Sequence, residues 1–384
     1  MKASDQQIRD LFDRRQSEQD QVSRAILGEE TQGYPVCMLN IMEHSILERI
    51  AGKQGYKSDP INVYRAAIEN AGINMVDQWI PENPLSIGAH GYEGVEASAT
   101  TGSEKIAIDG FPIQEPEDVL EHLEQVVFPE IEQAIADFDE ECRIREIGQR
   151  EYEQQLEIGS NILKTGYEYI HFPVLRYFTY GYVNYFCAYA MAPEVMQKDF
   201  ELQSKLNVLN NKAAVKAIER YHLPKLFRLD HDMTDSRGTL VNMRSLEKIW
   251  FPALYRALEP VLNTDVTLMW HCDGAITPMV EPLIEIGIQG FQGFQYEDGV
   301  DYPAICRKKA KNGKELFVIG GVSVTKTLPF GKPKDVAQEM KWLVENHGNT
   351  RFALGCSSSV APGVPWENIQ TLIEGFRYYR CHRS

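Results

Sequence analysis

An α/β fold, and within that class a closed (β/α)8 TIM barrel, is predicted by three observations on this 384-residue chain. From Leu226 onward strand-like and helix-like segments alternate. The strands are short apolar runs of the kind buried on both faces. Unusual polar residues, namely Asp230, His271, Gln295, Gly320 and Cys356, fall at or just past the C-terminal ends of those strands. In a barrel such ends open into one mouth, where residues distant in sequence meet, whereas an open doubly wound sheet would spread several of them apart. No glycine-rich dinucleotide fingerprint and no phosphate-gripping Gly-rich Lys motif follows a strand, which argues against nicotinamide and nucleoside triphosphate chemistry.

The elements follow in order. Residues 1–60 read as an N-terminal helical extension around the apolar patch 35–42, and residues 61–384 as a single barrel with inserted helices. Residues 64–71 are helical up to Gly72, and 73–80 form a short strand closed by Pro81 and Pro84. The Gly-, Ser- and Thr-rich stretch to Gly110 reads as loops with the character of a lid. Pro116 suits a first helical position, where its missing N–H costs nothing, and the helical run to residue 157 is kinked or broken at Pro129. Residues 167–185 hold six tyrosines and two phenylalanines, either a core layer or one wall of an apolar pocket. Strands are then expected at 226–230, 265–270, 288–294, 316–319 and 351–354. Helices are expected at 192–219, 246–262, 277–286, 302–311, 333–346 and 365–379.

With 43 % hydrophobic and 24 % charged residues the chain can fill a large core and still solvate its surface. The 39 Lys and Arg against 55 Asp and Glu leave a net charge of −16, a field that repels a phosphate backbone and excludes nucleic acid as the main partner. Residues 1–20 are densely polar, which leaves secretion and membrane insertion without sequence support. The seven scattered cysteines read as reduced thiols of a cytoplasmic protein.

The chemistry centres on His271-Cys272-Asp273-Gly274, three titratable side chains directly after an apolar strand. Strand alternation puts His271 toward the mouth and Cys272 toward the wall, and the turn at Gly274 brings Asp273 back. Imidazole binds zinc or moves protons near neutral pH, and a carboxylate orients it or binds a cation. Cys356 leaves a strand for a polar Ser-rich loop, a place suited to a metal ligand or nucleophile as well as to a small core residue. His271 and Cys356 make two ligands of the roughly three a catalytic zinc needs, with Asp273, Cys272, Glu297 and Glu82 as possible thirds. Asp232 joins His271 and Asp273 as a catalytic candidate, while Arg237, Gln295, Tyr296 and Lys326 are candidates for substrate binding.

Several segments carry a resemblance. Asp232-Met233-Thr234-Asp235-Ser236-Arg237-Gly238, the His271 to Gly274 segment followed by Glu285-Ile286-Gly287-Ile288, Gly320-Gly321-Val322-Ser323 with Pro329-Phe330-Gly331, and Gly355-Cys356 with Pro365-Trp366-Glu367-Asn368 resemble the uroporphyrinogen decarboxylase superfamily. The order spans roughly residues 230–379, and it is nearer the cobamide-dependent methyltransferases than the true decarboxylases. That branch implies zinc held by a His-x-Cys segment and a late cysteine, a small methylated substrate, and a corrinoid carried by a partner protein. The resemblance places zinc on His271 and Cys356 and departs at Asp273, which stands where the branch has cysteine. An oxygen ligand there suits Lewis-acid activation of a methoxy or methylamine donor better than thiolate activation. The decarboxylase branch implies a metal-independent lyase with an arginine-rich N-terminal motif, and residues 35–39 carry no such motif. A nonenzymatic ligand-binding barrel and a homo-oligomeric assembly remain the other expectations.

Overall fold

The computed structural model describes residues 2–37, 41–82, 106–108, 110–293, 295–348 and 351–383. Its strands in chain order are β1 (Met75–Val76), β2 (Ile106–Ile108), β3 (Phe111–Ile113), β4 (Leu163–Lys164), β5 (Gly166–Tyr167), β6 (Leu226–Asp230), β7 (Thr234–Asp235), β8 (Gly238–Thr239), β9 (Thr267–His271), β10 (Gly290–Gln292), β11 (Phe317–Val322) and β12 (Arg351–Cys356). Six of them form one parallel sheet in the order β12-β11-β10-β9-β6-β5. Helices link the strands from β6 onward, as the alternating pattern predicts.

The parallel pairing continues past both edges of that sheet. β4, one residue before β5, pairs in parallel with β1. Val36 bridges Leu354 of β12 and Cys37 bridges Met75 of β1, both in parallel, with Cys37 N donating to Leu354 O at 2.8 Å and Met75 N to Val36 O at 3.2 Å. Residues 36–37, read from sequence as part of an extension, are thus joined to the strands. Within the apolar patch, Val36, Cys37 and Ile41 are spent on pairing, Ile41 with Val360.

Side chains alternate between two environments along each strand. Cys37, Met75, Leu163, Leu226, Met269, Phe317, Ile319 and Ala353 form one buried cluster, into which helix Asp20–Leu27 inserts Val22 and Ile26. Their neighbours Leu268, Trp270, Val318, Phe352, Leu354 and Cys356 belong to the larger cluster shared with the helices. The period of two splits each strand between an inner and a helix-facing layer. This explains why whole strands such as Thr267–His271 and Arg351–Cys356 are buried at every position.

Helix limits follow local chemistry. Ser4 and Gln7 form a capping box at the start of Asp5–Glu18, and Asp139 accepts from Cys142 N to open Glu140–Ile158. Pro129 does not end its helix. A π-type turn over Leu123–Val127 absorbs the missing N–H and helix continues as Phe128–Ala136, and Leu246–Trp250 does the same before Pro252. Expected helix 302–311 is confined to Tyr302–Cys306, and β11 runs to Val322, which makes Gly320 an interior strand residue. The loop and lid expectation lies outside the described residues over 83–105, and β2 pairs antiparallel with β3. No helix among the described residues is long and apolar enough to cross a membrane.

Two expectations test this packing. A Cβ on Gly355 would lie 2.2 Å from Cys37 O, so Gly355→Ala must push β12 from residues 36–37. We expect a loss of about 2 kcal/mol or more in chemical denaturation, in the range of overpacked cores. Burial, reinforced by Arg143 and Arg383 respectively, lowers His171 and His347 to about 4. Their folded values lie below the ordinary histidine value of about 6.5, so this stability is present above pH about 6.5 and is lost as pH falls toward 4. Each unit of difference corresponds to about 1.4 kcal/mol. Urea unfolding at pH 7 and pH 4.5 should show the fall, and equal midpoints would contradict it.

Candidate functional site

The register of the parallel sheet assembles the site. Asp230 at the end of β6 pairs with His271 at the end of β9, and His271 pairs with Gln292 at the end of β10. Three residues far apart in sequence therefore stand side by side at the C-terminal ends of adjacent strands. Beyond β6 the chain stays with β9, since His231 N donates to His271 O at 3.3 Å. That turn carries Asp232 inward, where its Oδ1 accepts from Asp273 N at 2.9 Å.

Among the described residues, Asp230, Asp232 and His271 form a group whose ligand atoms all lie within 4.8 Å of one another. His271 Nε2 lies 3.9 Å from Asp230 Oδ1 and 3.7 Å from Asp273 Oδ1. Asp273 Oδ2 accepts from Ser358 Oγ at 2.9 Å, and Asp273 Oδ1 and His271 Nδ1 are buried without a hydrogen-bond partner. Burial pushes the Asp273 carboxyl up to about 6, with His271 opposing the rise and Asp232 and Asp230 adding to it. Asp230 moves the other way. Burial alone would raise it, but His271, Arg228 and the Tyr167 hydroxyl outweigh that and hold it below the usual carboxylate range.

Two carboxylates, an imidazole and buried polar atoms left unsatisfied fit a divalent cation, with neutral imidazole nitrogen and anionic oxygen as donors. The set differs from the one expected from sequence. His271 is in place, and Asp273 is beside it. Cys356 is not: it lies on the helix-facing side of β12 with Leu354, and burial followed by the nearby Glu339 pushes its thiol up to about 12. Strand alternation is the reason, because Ala353 faces inward and Cys356 is three positions on. Cys272 also faces outward, its sulfur accepting from Met233 N at 3.2 Å. Asp230 and Asp232, from the preceding strand end, are the acidic residues grouped with His271.

The substrate-binding candidates bond within their own loop or to the next strand and its loop. Arg237 is exposed on the β7–β8 hairpin and paired with Asp235. Tyr296 donates to Gly321 O at 3.3 Å, Lys326 Nζ donates to Glu297 O at 2.8 Å, and Gln295 is half-buried before the turn Tyr296–Asp298. Glu297 accepts from Ser323 and Thr325, and Glu82 is exposed; neither belongs to the Asp230–Asp232–His271 group. Sequence reasoning missed Asp77, Arg228 and Gln292, which lie beneath the carboxylates. Arg228 Nε lies 2.7 Å from Asp77 Oδ2 and its Nη1 donates to Gln292 Oε1 at 3.2 Å. A charged residue in the middle of the apolar strand Leu226–Asp230 was the available signal.

Comparison with known proteins bears on the family and the fold. Residues 232–379 match the family model described as uroporphyrinogen decarboxylase (URO-D), so the resemblance read from the motifs is borne out over that stretch. A methyltransferase from Methanosarcina mazei shares the fold at a TM-score of 0.54 and 14 % identity, with 94 % of this chain and 99 % of that one covered. A Listeria monocytogenes protein described as a vitamin-B12-independent methionine synthase aligns at a TM-score of 0.44 and 13 % identity, over 91 % of this chain and 98 % of that one. No curated protein matches the sequence.

Gly293 provides a direct check of the site. At φ +91° a side chain is strained, and a Cβ there would lie 2.7 Å from His271 Nδ1. Gly293→Ala should displace the imidazole and weaken metal binding at least tenfold in a zinc titration, while unchanged affinity would show that this ring position does not matter.

Proposed function

We propose that this protein is a cobamide-dependent methyltransferase: it moves a methyl group between a small methylated substrate and the corrinoid of a partner protein, with zinc as the metal. The observation that carries the reading is the Asp230–Asp232–His271 group at the C-terminal strand ends. In this reading the continued parallel pairing closes a (β/α)8 barrel, with residues 36–37 as its first strand, and the strand ends share one mouth. We take the protein to act in the cytoplasm.

His271 Nε2, Asp230 and Asp232 would hold the metal. Bound zinc supplies Lewis-acid activation of the heteroatom that carries or receives the methyl group. Asp273, raised by burial and held by Ser358, is placed to keep a proton or accept one beside His271. Arg228 supplies the fixed positive charge that keeps three carboxylates together before any cation binds. Of the substrate-binding candidates, Arg237 borders a cavity of about 910 Å³ with Tyr182 and Phe186.

Metal analysis and a methyl-transfer assay test the reading together. Purified protein should bind zinc in stoichiometric amount, and Asp230→Asn and Asp232→Asn should each cut affinity by at least a hundredfold. Cys356→Ala should leave affinity within about twofold of wild type, contrary to a thiolate site. Formation of methylcobalamin from reduced corrinoid and a methyl donor, followed by absorbance, should stop on chelation. Zinc-free protein with undiminished turnover would overturn the mechanism.

A further inference from the structure

The two oxygens of Asp230 have different surroundings. Oδ2 accepts from the Tyr167 hydroxyl at 3.1 Å and the Gln78 amide at 3.5 Å, and it forms an ion pair with Arg228 Nη2 at 3.4 Å. Oδ1 instead points to the His271 side, 3.9 Å from Nε2. The groups on Oδ2 are themselves fixed. Arg228 is 2 % exposed, its Nε pairs with Asp77 at 2.7 Å, its Nη1 bonds Gln292, and its guanidinium lies over the Tyr167 ring at 4.8 Å. Asp77 Oδ1 accepts in turn from Gln78 N at 2.7 Å, closing a circuit through Asp77, Arg228, Asp230 and Gln78.

We propose that Tyr167 and Arg228 are positioning residues for the metal centre, which engage Asp230 Oδ2 so that only Oδ1 is offered to a divalent cation. The inference rests on the metal reading of the Asp230–Asp232–His271 group. A freely rotating carboxylate can chelate through both oxygens and fill a place on the ion that a substrate atom needs. With Oδ2 held by three partners, Asp230 binds through one oxygen and that place stays open. Outer hydrogen bonds of this kind set ligand orientation and typically account for a ten- to hundredfold difference in metal affinity. Tyr167 does this through its hydroxyl alone, while its ring supports the guanidinium.

Tyr167→Phe separates these roles, because the ring over Arg228 is retained and only the hydroxyl is removed. The full chain, stripped with chelator, is titrated with zinc chloride by calorimetry and with cobalt(II) by visible absorption. Tyr167→Phe should bind zinc about tenfold more weakly than wild type and shift the cobalt(II) spectrum, with the metal-free melting temperature unchanged. Gln78→Leu, which removes the second donor, should change both readouts in the same direction and carries the test should Tyr167→Phe not fold. If wild type binds zinc and both variants match it in affinity and spectrum, the positioning role is overturned while the metal site stands. Lower melting of the metal-free variants with unaltered metal binding would assign the network a structural role and likewise overturn it. Wild type that binds neither ion removes the metal reading itself and this inference with it.

Discussion

The parallel register that sets Asp230 against His271, and His271 against Gln292, is the constraint on which the site depends. Neighbouring strands lie about 4.8 Å apart, so in-register residues at strand ends present their side chains at metal-binding separations without any special loop. A shift of one residue in either pairing would turn His271 into the helix layer and bring Cys272 inward. The alternation of Met269 in one apolar layer with Trp270 and Cys272 in the other shows what holds the register. Packing of the core and placement of the donors are therefore the same event.

Charge is arranged around that register. Three carboxylates within one small volume repel one another, and Arg228, buried beneath them between Asp77 and Asp230, supplies the counter-charge. The arrangement divides the carboxylates. Asp230, close to Arg228 and Tyr167, is held below the usual carboxylate range, whereas burial pushes Asp273, bonded to Ser358 Oγ, up to about 6. The two neighbouring acids are thus driven in opposite directions by their environments.

The departure at Asp273 belongs to a wider change of donors. Both cysteines near the site, Cys272 and Cys356, sit on outward strand faces with their thiols buried and pushed up to about 12. The inward positions hold oxygen and nitrogen instead.

Much of the barrel-like half was legible from the chain alone. The alternation of short apolar runs with helices after Leu226, the place of Asp230 and His271 at strand ends, and the outward direction of Cys272 all follow from periodicity, a local property that sequence carries directly. Residues 36–37 were hidden because two bridged residues leave no periodic trace, and their role depends on what β1 and β12 present to them. Arg228 is a charge in an apolar strand that the sequence reading passed over, and Asp77 and Tyr167 became its partners only through packing across strands. Cys356 shows the same limit from the other side, since a loop-entry cysteine reads as a ligand until the strand's last residues fix its face. Sequence by itself determined which segments are strands and which residues stand at their ends. The tertiary structure decided which side chains share the inner face, because register and alternation across neighbouring strands are properties of the paired sheet and not of any one segment.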